Sequence, residues 1–82
     1  MLSDSQVRWR CRRGVRELDV LLTTFLAAGY DDLSVPQKLD FQRLLEVQDP
    51  TIMDWLFSKS TPSDSGLADI VELLKSLSGI AK

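Results

Sequence analysis

The stretch "RELDVLLTTFLAAG", residues 16–29, decides the fold, because its apolar side chains recur at the spacing of an α-helix. Gly29 follows at the point where such a helix would end, and glycine readily takes the left-handed conformation that caps a helix C-terminus. We therefore expect a helix that begins after Gly14 and ends near Gly29. The apolar residues that form its core-facing stripe are Leu18, Leu21, Leu22, Phe25 and Leu26.

Three more segments towards the C-terminus repeat the helical spacing. Ser34 and Gln37 form the pattern of a capping box, and the helix that they start is expected to run to about Val47. Asp49 suits the N-cap of the next helix and Pro50 its first position. A polar connection, "SKSTPSDSG" (58–66), precedes a last helix. The expected core positions of these helices are Phe41, Leu44, Leu45, Ile52, Trp55, Leu56, Leu67, Ile70, Val71, Leu74 and Leu77.

The fold class follows from these segments and from the length of 82 residues. A chain of this size builds one modest core, and no segment shows sustained β alternation. We predict an all-α single domain over residues 1–82, a small bundle of five helices with a short basic first helix before Gly14. Connections of about three to seven residues suit neighbouring, roughly antiparallel helices. With neither a long apolar run nor a signal peptide, we expect a cytoplasmic protein without membrane insertion.

The residue types exclude much catalytic chemistry. The chain has no histidine and one cysteine, so it lacks a Ser-His or Cys-His pair and the usual zinc ligands. We expect no metal, no catalytic residue and no enzymatic activity. Cys11 stands among arginines, which would lower its pKa if it were exposed. The simpler interpretation is a small, half-buried side chain on a helix.

Positive charge is concentrated at the N-terminus. Residues 1–16 carry a net charge of +4, whereas residues 17–82 carry −6. The basic segment uses only arginine, while four of the other five basic residues are lysine. Arginine binds carboxylates, phosphates and carbonyl oxygens through a planar fork, and it is enriched at interface hot spots. A partner-binding surface is therefore favoured over a solvated face with weak ion pairs.

The positions of the arginines relative to Gly14 refine this interpretation. Arg8, Arg12 and Arg16 are spaced by four, so one continuous helix would align them on a single face, with Arg13 beside the row. Glycine is unfavourable inside a helix, so Gly14 indicates either a bend between helices or the close approach of a partner's backbone.

Trp9 precedes this glycine in the sequence and Glu17 follows it, and two interpretations are open for each of them. Glu17 could bind the first turn of the following helix or pair with Arg13. Trp9, between Arg8 and Arg10, could pack against the bundle or face a partner.

The segment Arg13-Gly14-Val15-Arg16-Glu17 resembles the Arg-Gly-x-x-Glu signature of the SdhE family of small flavinylation factors. The size of the chain, the order of its helices, the block "FQRLLEVQDPTIMDWL" (41–56) and the proline-containing connection before the last helix are similar to this family as well. The continuation "RELD" resembles bacterial members.

The resemblance implies a function and a partner. It implies a five-helix assembly factor that binds the flavoprotein subunit of succinate dehydrogenase, and often that of fumarate reductase. Such a factor promotes covalent attachment of FAD to a histidine of that subunit. No glycine-rich phosphate loop follows a strand here, so we expect FAD to belong to the client. We also expect the free factor to be a monomer. The candidate partner-binding residues are Arg13, Gly14 and Glu17, with Arg12, Arg16, Asp19, Arg8 and Trp9 around them.

Two alternatives compete with this reading. The arginines could bind nucleic acid or another anionic surface, with Trp9 stacking on bases. The sequence pI of about 4.9 disfavours this alternative, since nucleic-acid-binding domains typically have a pI above about 9. An autonomous flavin-transfer enzyme is disfavoured by the missing catalytic groups.

Overall fold

The computed structural model of the chain describes residues 2–58 and 60–78, without the side chains of the last two. These ranges contain no strand, and the prediction of an all-α fold with five helices is confirmed. None of the helices described is both long enough and apolar enough to cross a membrane. The helices are α1 (Asp4–Arg10), α2 (Arg16–Ala28), α3 (Val35–Leu44), α4 (Asp49–Phe57) and α5 (Ser65–Ser78), with a 3-10 turn at Tyr30–Asp32 between α2 and α3.

The buried apolar side chains form one cluster to which all five helices contribute. Helix α5 packs against α2, α3 and α4. The ring of Phe41 lies near the middle of the aromatic packing, with its centroid 5.1 Å from that of Phe25 and 5.4 Å from that of Tyr30. The predicted core positions are buried, except that Leu26, Trp55 and Leu67 are partly buried against the cluster; the side chain of Leu77 lies outside the described residues.

Two helices begin with a capping box. At α3 the amide of Gln37 donates to Ser34 Oγ at 3.3 Å, and the amide of Ser34 donates to the Gln37 side chain at 2.9 Å, which confirms the prediction. Helix α1 begins in the same way, with Ser3 and Gln6 in the two positions. Each box satisfies two backbone N–H groups that the end of a helix leaves without partners.

The predicted left-handed cap at Gly29 is wrong. Helix α2 does end before Gly29, but the residue has φ −141° and ψ −9°. The chain continues directly into the 3-10 turn, whose first backbone hydrogen bond runs from the Asp32 amide to the Gly29 carbonyl. The turn therefore needs no residue with positive φ at this point.

The boundaries around the connection between α3 and α4 also differ from expectation. Helix α3 ends at Leu44 rather than near Val47. The N-cap of α4 is Gln48, so Asp49 and Pro50 are the first and second helical residues, and Asp49 does not cap the helix. The Asp49 carboxylate instead faces an arginine from another part of the chain.

Helix α1 is anchored to the rest of the molecule by its buried side and by its N-terminus. Val7 and Cys11 are completely buried in the core. The amide of Leu2 donates to the side chain of Gln42 at 2.9 Å, and Gln42 in turn donates to the hydroxyl of Tyr30 at 2.9 Å. These contacts fix the helix that carries Arg8 and Trp9.

An ion-pair network joins α3 to the start of α5. Arg43 pairs with Asp40 at 2.7 Å and with Asp64 at 3.0 Å, and Asp64 also accepts a hydrogen bond from the Leu67 amide. The hydrogen bond from Arg43 holds the pKa of Asp64 well below its usual range. A Cβ atom at Gly66 would lie 2.7 Å from the Arg43 guanidinium, so the glycine lets the network approach α5 closely.

Candidate partner-binding surface

The connection between α1 and α2, residues 11–15, contains the centre of the candidate site, and we call it the arginine loop. The Cys11 amide still bonds to the Val7 carbonyl at 3.1 Å, but α1 ends at Arg10 and α2 begins only at Arg16. The chain therefore has no continuous helix that would align Arg8, Arg12 and Arg16 on one face. A bend between helices near Gly14, one of the two interpretations of this glycine, is confirmed.

Asp19, in the first turn of α2, closes the arginine loop. Its Oδ1 accepts a hydrogen bond from the Arg13 amide at 3.0 Å and lies 3.5 Å from Arg12 Nε. The N-cap residue Val15 offers no side-chain oxygen to the helix, whereas a carboxylate near a helix N-terminus is stabilised by the helix dipole. Asp19 therefore acts mainly inside the molecule, and its side chain is largely covered.

Arg13 points into the protein. Its side chain is only 15% exposed, Nη2 donates to the Leu45 carbonyl and Nη1 lies 3.3 Å from Asp49 Oδ1. Its Nε is buried and has no hydrogen-bond partner among the described residues. Glu17 forms no ion pair with Arg13 among the described residues. It lies exposed in the first turn of α2 and makes no ion pair or cap within the described part of the chain, so both interactions predicted for it are wrong.

The remaining arginines of the segment are exposed, and so is the tryptophan that lies between Arg8 and Arg10 in the sequence. The side chain of Trp9 is 76% exposed, which excludes the alternative that it packs against the bundle. The side chain of Arg12 is 69% exposed. Arg8, Arg10 and Arg16 are exposed and form no ion pair with the described residues. We call the following set the arginine surface: Arg8, Trp9, Arg10, Arg12, Gly14, Arg16 and Glu17.

Gly14 lies exposed within this surface, and the fold does not require a glycine there. A Cβ atom built on it would meet no other atom within 4 Å, and its φ lies outside the left-handed region that favours glycine. Neither packing within the chain nor backbone conformation accounts for the residue.

Cys11 is the first residue of the arginine loop, directly after α1, and it is fully rather than half buried. Burial raises the pKa of its thiol to about 11, against the lowering effect of the Arg13 charge. The thiol is therefore protonated near neutral pH and is a poor nucleophile. No cluster of three or more potential metal ligands occurs in the described residues.

An open groove lies beside α3, and its lining decides whether FAD could bind there. Of its described lining residues only Arg43 is cationic, and that guanidinium is already paired with Asp40 and Asp64. Because a dinucleotide diphosphate needs free cations or N–H donors, this groove does not fit FAD. The lining residues are Leu2, Pro36, Leu39, Asp40, Gln42, Arg43 and Glu46.

No local pattern in the sequence predicts the partners of Arg13. Asp49 and the Leu45 carbonyl lie more than 30 residues away, and Asp49 is expected from the sequence to cap its own helix. A contact of this kind depends on how the two connections meet in the folded chain.

A small five-helix chain that exposes several arginines and a tryptophan in one short segment is typical of a protein-binding domain. Residues 5–78 match the model of the family described as flavinator of succinate dehydrogenase. The chain belongs to this family, which confirms the resemblance to SdhE proteins.

Curated relatives agree with the assignment. The chain is 43% identical over 72 residues to the FAD assembly factor SdhE of Yersinia pseudotuberculosis, with 88% of this chain and 82% of that protein covered. It is 41% identical over 70 residues to the protein of that name from a Serratia strain, with 85% and 80% covered. The Coxiella burnetii protein of the same name is 38% identical over 77 residues, with 94% of each chain covered.

Proposed function

We propose that this chain is an assembly factor that binds the flavoprotein subunit of succinate dehydrogenase and promotes covalent attachment of FAD to it. Membership of the flavinator family supports this function, as do relatives that are named FAD assembly factors. Binding to the flavoprotein subunit of fumarate reductase, as a second client, stays a prediction.

The proposed docking site is the arginine surface, and Gly14 is the observation that carries this choice. Because the fold does not require a glycine at position 14, we attribute this glycine to an interaction with a partner. An exposed glycine lets a partner's backbone approach closely. Arg16 supports the same choice. As the first residue of α2 it places a cation at the positive end of the helix dipole, where it does not stabilise the helix.

The chemistry of the surface defines what the client must offer. Free guanidinium groups bind carboxylates and backbone carbonyls, often through two parallel hydrogen bonds. The exposed ring of Trp9 requires an apolar recess in which it can be buried. The client face is therefore proposed to carry carboxylates and carbonyls around an apolar pocket, with main chain close to Gly14.

We propose that the factor acts by binding rather than by catalysis. The chain has no histidine to serve as a base or as the residue that receives the flavin. By binding one conformation of the client more tightly, it would raise the population of that conformation. The client's own histidine and FAD would then be held in a geometry that favours bond formation. The nucleic-acid alternative stays a prediction, and no contact among the described residues favours it.

Substitution of Gly14 by arginine tests this proposal. Gly14→Arg adds a long side chain where the free protein has open space, so the variant is expected to fold normally. In cells that lack the factor, wild type should restore covalent flavin on the succinate dehydrogenase subunit, detected by in-gel fluorescence, whereas Gly14→Arg should restore less than about one tenth of it.

Thr61→Arg is the matched control, because it adds the same side chain at an exposed position between α4 and α5. It should support flavinylation like wild type. Full activity of Gly14→Arg would refute the docking site, whereas undiminished covalent flavin in cells without any factor would refute the function itself.

A further inference from the structure

Two neighbouring arginines of the arginine loop differ in what their side chains do. Arg12 extends into solvent, whereas Arg13 is largely buried and spans to a different part of the chain. Its guanidinium joins the last turn of α3, through the Leu45 carbonyl, to the first residue of α4, Asp49.

Both contacts use groups that helix ends leave available. No described backbone N–H donates to the Leu45 carbonyl, so Arg13 supplies a donor where a helix C-terminus favours positive charge. The carboxylate of Asp49 lies at the N-terminus of α4, where negative charge is favoured. One guanidinium thus satisfies a backbone carbonyl at the end of α3 and pairs with the carboxylate at the start of α4.

The main chain of Arg13 is fixed as well. Its amide donates to Asp19, so the residue is attached to α2 through its backbone and to the connection between α3 and α4 through its side chain. Gly14 follows immediately, and Arg12 precedes it. Any loosening of Arg13 would therefore let the exposed parts of the arginine loop sample other conformations.

We propose that Arg13 is a positioning residue: it fixes the arginine loop against the α3–α4 connection so that the arginine surface meets the client in one conformation, without touching the client itself. The affinity test of this assignment rests on the proposed function, because it uses the proposed client. Because the surface is ordered before binding, less conformational entropy is lost when the client docks.

A double-mutant cycle between Arg13 and Asp49 tests the proposal. Affinity is measured for the purified flavoprotein subunit of a bacterial succinate dehydrogenase, prepared without covalent FAD. Arg13→Gln and Asp49→Asn should each weaken binding about tenfold, and the double variant should also lose only about tenfold, not the roughly hundredfold of two independent effects. Additive losses, or normal affinity of Asp49→Asn beside a weak Arg13→Gln, would show instead that Arg13 binds the client directly.

Arg12→Gln is the matched control, because Arg12 is the adjacent arginine and is exposed. Its effect should add to that of Asp49→Asn. All affinities are taken at a temperature where far-UV circular dichroism shows each variant folded. Arg13→Lys, which keeps the charge but can reach only one of the two acceptors, should recover part of the affinity.

The free protein provides a readout that does not depend on the client. Backbone ¹⁵N relaxation should show increased motion at Gly14 in both Arg13→Gln and Asp49→Asn, and a smaller increase in Arg12→Gln, which loses only an exposed contact with Asp19. Rigid loops in both variants would overturn the positioning role even if client binding is confirmed. Failure of wild type to bind the subunit would overturn the proposed function and leave this measurement valid.

Discussion

Arg12 and Arg13 show how two identical adjacent residues acquire different roles. The residue type and the spacing indicate a binding surface but do not indicate which guanidinium is free. That distinction depends on which acceptors lie within reach, and for Arg13 these are Leu45 and Asp49 on a distant connection. Among the described residues the unpaired cations of the surface are Arg8, Arg10 and Arg16, whereas Arg12 is exposed but lies 3.5 Å from Asp19.

Gly14 leads to a prediction at the same scale. Gly14→Ala should stabilise the free protein by about 0.4–1 kcal/mol, because alanine fits the native backbone and reduces the entropy of the unfolded chain. Thermal unfolding should show a Tm increase of roughly 2–8 °C. A decrease in Tm would mean that the residue is required by the fold, and the main support for the docking site would be lost.

At the scale of helices, the features that depend on residues close together in the sequence were predicted correctly. The apolar spacing of α2 and the capping box at Ser34 both hold in the structure, because each depends on residues within a few positions of one another. The errors lie at helix ends. Asp49 does not cap α4, since its carboxylate is engaged by Arg13, and Gly29 needs no left-handed conformation, since a 3-10 turn follows.

The two capping boxes give a matched pair of variants. Ser3→Ala and Ser34→Ala should each cost about 0.5–2 kcal/mol of stability, measured by chemical denaturation, because each removes the same cap. Only Ser3→Ala should also weaken client binding, because α1 carries Arg8 and Trp9. Equal losses of affinity in the two variants would indicate that α1 is not part of the docking site.

At the scale of the whole molecule, charge is separated along the chain. The segment with a net charge of +4 is a short helix and a loop on one part of the surface, while the rest of the chain carries −6. Such a distribution orients a molecule as it approaches an acidic partner and repels the opposite orientation. The separation therefore favours docking through the arginine surface.

The candidate site could be predicted from the sequence only in part. Arginines around a glycine indicated an interaction surface, and the Arg-Gly-x-x-Glu pattern indicated the family, which the comparisons confirm. The exposure of Trp9 and the burial of Arg13 could not be predicted, because both depend on where α1 ends and how the loop packs.

Site-specific photo-crosslinking from position 9 tests the central claim most directly. A benzophenone amino acid replaces Trp9 in one variant and Phe57 in another; the side chain of Phe57, on α4, is an exposed aromatic group outside the arginine surface, 48% accessible. If the client docks on the arginine surface, a crosslink to the flavoprotein subunit of succinate dehydrogenase forms from position 9 and none forms from position 57. A crosslink from position 57 alone would contradict docking on this surface.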